Sequence, residues 1–577
     1  MYAAITGTGK NKSVYIMQSF RKDNGKTSSR VYRKLGRLDV LLEHYGGNKD
    51  KLMAWASAEA AKDTQAYNER SGNISVSLSQ SAYIPKEETL SFNVGYLFLQ
   101  RLCFELRLDA ICHKIKKHHQ YTYDLTAILT DLIFARILSP SSKLSSYTFC
   151  QTLLEPPMYT LQNLYRALSV LAAESDFIQE ELYRNSNSLQ PRNHTVLYYD
   201  CTNYYFEIEE PDGSRQYGKS KEHRPNPIIT MGLFMDADGI PLVFDMYPGN
   251  QNEQTTLKPL ETKIIQQFGC NRFIYCSDAG LGSKANRQFN SLGNRQYVIT
   301  HSLKKMKQED RDVALNPLYF RIPGSRAFID ISTIDESDSR MFHTLFYKEI
   351  PIGEQETLIV TYSPKYKAYQ RAIRQAQIQR AQKIIDSPGK KRRGRNPNDP
   401  ARFIEKTAIC DTGEIAHHYS YCLDEKRIAQ EAQYDGFYAV ITNIEGNPEE
   451  VVKINQRRWE IEESFRIMKS EFEARPVYVR REDRIKAHFL TCYISLLIYR
   501  LLEKKLGNHY TCPEILRTLS QMRVTKLSAL HGYVPAYTRT QLTDELHTQF
   551  GFRTDYEIMT RATLRHTIKM SKTVRTE

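Results

Sequence analysis

The change of hydrophobic period near Thr195 constrains the fold of this chain more than any other feature of the sequence. Three apolar stretches follow in quick succession, TVLYYDCT, NPIITMGLFM and IPLVFDMYP, with the turn DADG between the last two. Apolar runs rich in β-branched and aromatic residues are typical of strands, and a short polar turn between two of them predicts a hairpin. A helical stretch, TTLKPLETKIIQQF, and two more apolar stretches, NRFIYCSDAG and RQYVITHSL, come next. Residues 191–303 are therefore predicted to form the first part of an α/β core.

The regions around this core predict further parts, since 577 residues exceed what one hydrophobic core usually supports. Residues 86–190 repeat apolar positions at intervals of three and four, which predicts a mostly helical domain for DNA binding or assembly. Residues 304–434 break the α/β rhythm with strand-like pieces, a long helix and the basic run KKRRGR, which indicates an inserted domain. Residues 435–505 resume the rhythm and complete the core. The ends of the chain are 1–85, a basic strand and helix region with a possible DNA contact, and 506–577, a helical region of unknown role.

The charge balance favours a polyanionic partner. Lys and Arg number 80 against 66 for Asp and Glu, so the net charge is +14. Such an excess suits nucleic acid better than a small acidic metabolite. The amino terminus lacks the apolar core of a signal peptide, and the run Phe489–Leu502 is too short for a membrane span and contains Arg500, so we predict a buried helix there. We expect a cytoplasmic protein with no membrane contact.

Two acidic residues are predicted to end apolar strands of the core. Asp200 follows VLYY, and Asp278 follows FIYCS. In open α/β sheets, polar chemistry gathers at strand ends because the buried strand holds the side chain rigidly there. Taken singly, each acid fits the role of a turn or cap residue better than that of a catalyst.

A third acid lies in the stretch KINQRRWEIEESFRIMKSEFEARP. Arg458, Glu462 and Lys469 are spaced by four and seven residues, which places them on one stripe of a helix. A neighbouring stripe at the same period is apolar and predicts the packed face; its members are Ile461, Phe465, Met468 and Phe472. Taken alone, the three charges fit an ion-pair ladder on a solvated helix face better than a functional site. Trp459 is predicted to be a packing anchor rather than a platform for stacking bases.

The order of these residues resembles a known family. An Asp on a strand, a second Asp at a strand end and a Glu within an R-W-x-I-E-x-x-F-x-x-x-K helix resemble the DDE transposases of bacterial insertion sequences, in particular the IS-four-type superfamily. The resemblance covers residues 195–500 and implies a ribonuclease-H-like α/β catalytic core with a β-rich insertion, preceded by a mostly helical domain. It departs from the family pattern at Asn455, where the family has a tyrosine. An asparagine still offers one hydrogen bond to a DNA phosphate.

The resemblance also implies a chemistry and partners. Asp200, Asp278 and Glu462 would hold two Mg²⁺ ions, for which Mn²⁺ could substitute, because hard cations prefer carboxylate oxygens. The enzyme would cut the terminal inverted repeats of its element and transfer the 3′-hydroxyl ends to target DNA, as a homodimer on DNA. Arg458 and Lys469 would bind phosphates beside the scissile bond.

The stretch GSRQYGKS, Gly213–Ser220, matches the Walker A pattern of nucleotide-binding loops. That loop works by leading from a strand into a helix, whose amide groups face the phosphates. Pro225 and Pro227 exclude a helix interior directly after this stretch. We therefore predict a hairpin-like connection between two core strands and no ATP, with its cations near a DNA phosphate; these are Lys219, Lys221 and Arg224, with His223 among them.

Three other functions remain open on the sequence alone. A metal-dependent nuclease would cut DNA without joining it. A non-catalytic DNA-binding protein would retain an inactive core. An ATP-driven DNA protein would use the Walker-like stretch.

Overall fold

The structure is a computed structural model. It describes residues 1–8, 11–21, 27–71, 80–81, 83–84, 86–353, 355–387, 398–409, 418–446, 448–528 and 532–574. The described chain divides into two compact units: residues 1–88 with 527–532, and residues 89–526 with 533–577. The stretch DNGK at residues 23–26, whose sequence is typical of a turn, and the basic run KKRRGR lie outside the described residues.

The first unit is an antiparallel sheet with two helices. Its elements are β1 (Tyr2–Thr6), β2 (Ser13–Arg21), β3 (Thr27–Arg37), α1 (Leu38–His44) and α2 (Lys49–Ser71), and the strand order is β1-β2-β3. Its small core is formed by Val14 on β2 and by Leu52 and Ala56 on α2. The strands and helix predicted from the alternating pattern of this region are confirmed.

The second unit begins with a short strand and six helices. They are β4 (Ser91–Asn93), α3 (Tyr96–Glu105), α4 (Leu108–Lys116), α5 (Leu125–Leu138), α6 (Lys143–Cys150), α7 (Leu161–Ala173) and α8 (Ser175–Leu189). Side chains at the residue before the helix accept a backbone N–H at several of these starts, as Asp124 does from Ala127 before α5. The helical prediction for this region is confirmed.

The sheet that follows is the centre of the second unit. Its elements in chain order are β5 (Val196–Tyr205), β6 (Ile228–Met235), β7 (Pro241–Pro248), α9 (Leu257–Gln267), β8 (Ile274–Ser277), α10 (Lys284–Asn290) and β9 (Gln296–Thr300). β5, β6 and β7 form an antiparallel meander, whereas β8 runs parallel to β5 and β9 parallel to β8. The predicted hairpin and the alternation of strand and helix are confirmed.

The segment after β9 extends the same sheet. It contains α11 (Gln308–Leu315), α12 (Ser339–His343), β10 (Phe346–Ile352), β11 (Glu356–Tyr362), α13 (Pro364–Ile385), β12 (Ile404–Ile409), β13 (His418–Leu423), α14 (Glu425–Ala432) and β14 (Phe437–Thr442). The eight-stranded sheet has the order β10-β11-β14-β9-β8-β5-β6-β7, while β12 and β13 pair separately. Two strands from the predicted insertion thus continue the core sheet, because β11 pairs with β14 in register from Thr357↔Thr442 to Tyr362↔Phe437.

The remaining elements cover one face of the sheet and end the chain. They are α15 (Pro448–Gln456), α16 (Trp459–Arg466), a π-helical turn (Ile467–Glu471), α17 (Glu482–Lys505), α18 (Cys512–Gln521), β15 (Arg523–Ser528), β16 (Gly532–Pro535), α19 (Gln541–Phe550) and α20 (Arg561–Ser571). In the described part of the chain, α17 is long and apolar enough to cross a membrane, but 94% of its apolar window is buried inside the protein. The predicted buried helix is confirmed as the core helix of the second unit.

The sheet is buried on both faces, which is why its strands read as continuous apolar runs. Alternate residues of β5 belong to two different cores: Tyr198 and Tyr204 join one, and Leu197 and Tyr199 join the other. The first core includes residues of α15, α16 and α17, and the second includes residues of α9. The fold is therefore mixed α/β, with helices packed on both sides of a large mixed sheet.

Candidate functional site

Asp200 and Asp278 lie level with each other on neighbouring strands. The parallel register pairs Tyr198 of β5 with Cys276 of β8. Continuing two residues along each strand from this pair reaches Asp200 and Asp278. Asp200 does not end its strand as predicted, because β5 continues to Tyr205 through antiparallel pairing with β6. Asp200 lies instead at the level where the neighbouring strand β8 has ended. The end of β8 leaves space beside Asp200.

The period of the strands fixes the face on which both acids lie. Side chains two residues apart point to the same side of a sheet, so Asp200 shares the side of Tyr198, and Asp278 follows the direction of Cys276. Both reference residues belong to the core that includes α15 and α16. The hydroxyl of Tyr198 donates to the carbonyl of Ile454 in α15 at 3.0 Å. The sheet therefore presents both acids to the helix pair that carries the third predicted acid.

Arg458 interacts with the acid on the helix and with the two acids on the sheet. It stands directly before α16, its side chain is 20% exposed, and its guanidinium lies 2.8 Å from the carboxylate of Glu462. The same guanidinium interacts electrostatically with Asp200 and Asp278. An ion-pair ladder on a solvated helix face explains the contact between Arg458 and Glu462. It does not explain the interactions of Arg458 with Asp200 and Asp278.

Glu462 itself points toward Arg458 and is 54% exposed. The ligand oxygens of the three predicted acids, all within the described residues, do not converge within 4.8 Å of one another. The predicted packed stripe beside Glu462 is confirmed, since Ile461, Phe465, Met468 and Phe472 are all buried. Packing therefore fixes the helix that carries Glu462, while the exposed side chain of Glu462 has room to adopt another rotamer.

The burial of Asp200 and the negative charge near it favour the binding of a cation. Burial raises the pKa of Asp200 to about 6, and the negative charge of Asp278 adds to the rise, while Lys221 and Arg458 oppose it. The ammonium of Lys221 lies 4.0 Å from Asp200 and 3.6 Å from Glu253. Burial disfavours the charged form of Lys221, yet its carboxylate neighbours outweigh that cost and raise its pKa. Carboxylate oxygens next to each other in a partly desolvated pocket are a donor set that fits a hard divalent cation.

The other predicted DNA contacts occupy different positions. Lys219 is exposed, and the guanidinium of Arg224 lies 4.2 Å from the ring centre of Tyr205. Lys469 is 16% exposed, and its ammonium lies 3.5 Å from Glu222. Asn455 is buried on α15, where its side-chain oxygen accepts from the hydroxyl of Thr300. Solvent therefore reaches Lys219 and Arg224 most readily.

Lys469 does not continue the straight stripe of Arg458 and Glu462. The α-helical geometry of α16 ends at Arg466, and Lys469 lies in the π-helical turn Ile467–Glu471. A π turn inserts an extra residue per turn and rotates the following side chains away from their α-helical positions. The ammonium of Lys469 faces the ring of Tyr204 on β5 as a result.

The Walker-like stretch leads from β5 to β6 and so joins two antiparallel strands. Gly213 has φ +57°, a conformation that glycine adopts without strain. The connection is pinned to the sheet by Asn203, whose amide donates to the carbonyl of Lys219 at 3.1 Å. The predicted hairpin-like connection is confirmed.

Sequence reasoning missed two residues of this site. Glu253, in the stretch GNQNEQTT, lies beside Lys221, and only its position one short turn after β7 could have suggested it. Trp459 was predicted to pack, but its side chain is 57% exposed. Its place directly after Arg458 at the start of α16 turns it away from the buried stripe, so the prediction of a packing anchor is wrong.

A group of His and acidic side chains with converging ligand atoms lies elsewhere, at Asp544, His547 and Asp555. Arg539 and Arg553 already bind its carboxylates, with Arg539 2.7 Å from Asp544 and Arg553 2.6 Å from Asp555. Two guanidinium ions on two carboxylates oppose the approach of a further cation. The group is better described as an ion-pair cluster than as a metal centre.

The structure places the carboxylates of Asp200 and Asp278 on an α/β sheet, with the basic side chains of Lys221 and Arg458 near them. Residues 194–498, more than half of the 577-residue chain, match the family model of the transposase DDE domain, and the chain belongs to that family. Among curated proteins, none matches the chain at a significant level. Among solved structures, the chain is similar to piggyBac transposase in a synaptic complex with hairpin DNA, at a TM-score of 0.37 and 10% identity over 84% of this chain and 86% of that one. This similarity is too low to establish a shared fold.

Proposed function

We propose that this chain is a DNA transposase that cuts the ends of its own insertion sequence and transfers the 3′-hydroxyl ends to target DNA. The observation that carries the proposal is the placement of Asp200 and Asp278 at one level of the sheet, facing Arg458 and Glu462, inside the span that matches the family. The guanidinium of Arg458 interacts with acids from three separate parts of the chain, which supports the assignment of Asp200, Asp278 and Glu462 to one site.

The residues present fit a pair of Mg²⁺ ions, with Mn²⁺ as a substitute. Asp200 is 14% exposed and interacts electrostatically with Asp278, and these two acids together with Glu462 would hold the ions. Glu462 would leave Arg458 to do so, which its 54% exposure permits. When bound, the metal supplies a deprotonated nucleophile at neutral pH and stabilises the leaving oxygen in an in-line displacement.

The basic side chains around the acids would position the DNA. Arg458, released from Glu462, presents a planar fork that suits two phosphate oxygens. Lys219 and Arg224 lie on the exposed connection between β5 and β6, where a DNA backbone would reach them. The roles of Lys469 and Asn455 in phosphate binding are part of the proposal, although both side chains are largely covered. The +14 net charge supports the same partner.

The finer classification rests on the sequence signature. We place the chain in the IS-four-type superfamily and its sheet in the ribonuclease-H-like class, with residues 304–434 inserted between Asp278 and Glu462. The helical region 86–190 would bind DNA or assemble subunits. Because two element ends must be cut together, the active species would be a homodimer on DNA, in the bacterial cytoplasm and independent of ATP.

The experiment that tests this function supplies the protein with a duplex containing its reading frame and flanks, in Mg²⁺ without ATP, together with a supercoiled target. Paired cuts at inverted terminal sequences and insertion of those ends into the target support the proposal. Cuts without joined products would identify a nuclease instead. Binding without cuts would identify a DNA-binding protein with an inactive core.

A further inference from the structure

Lys221 lies beside the carboxylates of the site, with 39% of its side chain exposed to solvent. Its ammonium lies 3.6 Å from Glu253 and 4.0 Å from Asp200, and it also interacts electrostatically with Asp278. It donates a hydrogen bond to the carbonyl of Cys201, the residue after Asp200. A single ammonium therefore faces three acidic side chains.

The backbone holds Lys221 in this place. Its N–H donates to the side-chain oxygen of Asn203 at 3.1 Å, and the amide of Asn203 donates to the carbonyl of Lys219. Asn203 is 3% exposed and belongs to the buried strand β5. These bonds hold the backbone of Lys221 beside β5, and from there its ammonium reaches the carbonyl of Cys201.

An ammonium and a divalent cation compete for the same oxygens. Asp200 is 14% exposed and lies next to another carboxylate, so it needs a positive charge nearby in any state of the protein. A divalent ion on Asp200 and Asp278 would repel an ammonium 4.0 Å from one of its ligands. Glu253, which is closer to the ammonium than Asp200 is, offers it a second position.

We propose that Lys221 is the resident counter-ion of the metal centre, displaced from Asp200 toward Glu253 when a divalent cation binds. The inference rests on the proposed function, because it takes Asp200 and Asp278 as the metal ligands. Lys221 is then a positioning residue that keeps the acids charged before the metal arrives, and Glu253 is the group that retains it afterwards. Metal affinity is reduced by the free energy needed to move the ammonium.

The test measures Mn²⁺ binding to the full chain without DNA, from the electron paramagnetic resonance signal of the free ion. Lys221→Gln removes the competing charge, and we expect it to lower the Kd for Mn²⁺ by about tenfold. Lys219→Gln makes the same change of charge two residues away on the exposed side of the loop and should leave the Kd within about twofold. A Kd for Lys221→Gln equal to or higher than that of the wild type overturns the inference.

A third variant distinguishes a failure of this inference from a failure of the proposed function on which it rests. Asp200→Asn should abolish Mn²⁺ binding if Asp200 is a metal ligand. If Asp200→Asn binds Mn²⁺ as the wild type does, the metal centre itself is wrongly placed. If Asp200→Asn loses binding and Lys221→Gln does not gain it, only the counter-ion role fails.

A second measurement does not depend on substitution and covers the case in which Lys221→Gln folds poorly. Acetylation of Lys221 by a water-soluble reagent, followed by mass spectrometry, should increase severalfold when Mn²⁺ is added to the wild-type protein, because the ammonium leaves Asp200 and the carbonyl of Cys201 and keeps only Glu253 as a partner. Acetylation of Lys219 should stay constant. A rate at Lys221 that falls or stays the same on adding Mn²⁺ contradicts the inference.

Discussion

The guanidinium of Arg458 lies 2.8 Å from the carboxylate of Glu462, four residues further along the same helix. An i to i+4 pair of this kind is common on solvated helices and adds about 0.3–0.5 kcal/mol. Here the guanidinium is only 20% exposed and also faces Asp200 and Asp278. The contact with Arg458 therefore holds the side chain of Glu462 on the side of Asp200 and Asp278, the acids with which it is proposed to bind metal.

Trp459 is expected to contribute to DNA binding. Its side chain is 57% exposed next to Arg458, and stacking of a base on an aromatic ring is worth about 1–3 kcal/mol. Trp459→Ala should weaken DNA binding by about tenfold without changing its salt dependence, since no charge is removed. Fluorescence anisotropy at several salt concentrations measures both. Tyr556→Ala, which removes another exposed ring in the C-terminal region, serves as the control; equal losses in the two variants would contradict a specific role.

Removal of divalent cations should separate binding from catalysis. The acids supply the metal ligands and the basic residues supply the phosphate contacts, so a chelator should abolish cleavage while DNA binding falls by less than about threefold. Mg²⁺ or Mn²⁺ should restore cleavage of a terminal-repeat duplex on a denaturing gel. Cleavage that persists in excess chelator would exclude the proposed metal centre.

Arg500 should be required for the stability of the helix that carries Glu462. It is 8% exposed on α17 and binds Glu463 and Ser464 of α16 as well as Glu503. Arg500→Leu leaves these partners without their cation and should cost about 2–4 kcal/mol, seen as a lower midpoint of urea unfolding.

Arg466→Leu provides the matched comparison for this prediction. Arg466 also pairs with Glu463, at 3.4 Å, but is 51% exposed. Its loss should cost less than about 0.5 kcal/mol. Similar midpoints for the two variants would show that Arg500 does not clamp α16 to α17.

Asp131 should make stability depend on pH. It is buried on α5 and accepts a hydrogen bond from Tyr159 at 2.8 Å; burial raises its pKa to about 7, although that hydrogen bond opposes the rise. The folded state thus holds a proton that the unfolded state releases near pH 4. The stabilisation is complete below about pH 4 and is lost as pH rises to about 7, amounting to at most about 4 kcal/mol.

Two variants check the assignment to Asp131. Asp131→Asn should remove this pH dependence and be more stable than the wild type at pH 8. Tyr159→Phe removes the donor that favours the charged carboxylate and should move the loss of stability to higher pH. Thermal unfolding between pH 5 and pH 8 measures both, and an unchanged pH profile in Asp131→Asn would show that another group titrates.

Much of the fold was predictable because hydrophobic period reports local structure directly. The meander from β5 to β7, the helix α9 and the buried helix α17 all follow from runs of apolar residues with clear turns between them. The pairing of β10 and β11 with the core sheet could not be predicted, because it depends on contacts between β11 and β14, which are distant in sequence. Strand order is a property of long-range pairing, which a local pattern does not encode.

The candidate site was predictable to a similar extent. The strand and helix periods placed Asp200 on a strand, Asp278 at a strand end and Glu462 on a helix, although β5 continues beyond Asp200 to Tyr205. Sequence reasoning placed Lys221 toward DNA, whereas the hydrogen bonds of Asn203 turn it toward Asp200. The exposure of Trp459 was missed for a related reason: a tryptophan beside an apolar stripe is usually buried, and only the start of α16 at that residue brings it to the surface.

The measurement that tests the central claim most directly is cleavage of terminal-repeat DNA by Glu462→Gln beside the wild type, in Mg²⁺ without ATP, with DNA affinity measured in parallel. Glu463→Gln, one residue further on and facing Arg500, is the control. Loss of cleavage by at least about a thousandfold in Glu462→Gln, with DNA affinity retained and Glu463→Gln active, is the predicted result. Cleavage by Glu462→Gln at the wild-type rate would contradict the account and move the active site elsewhere.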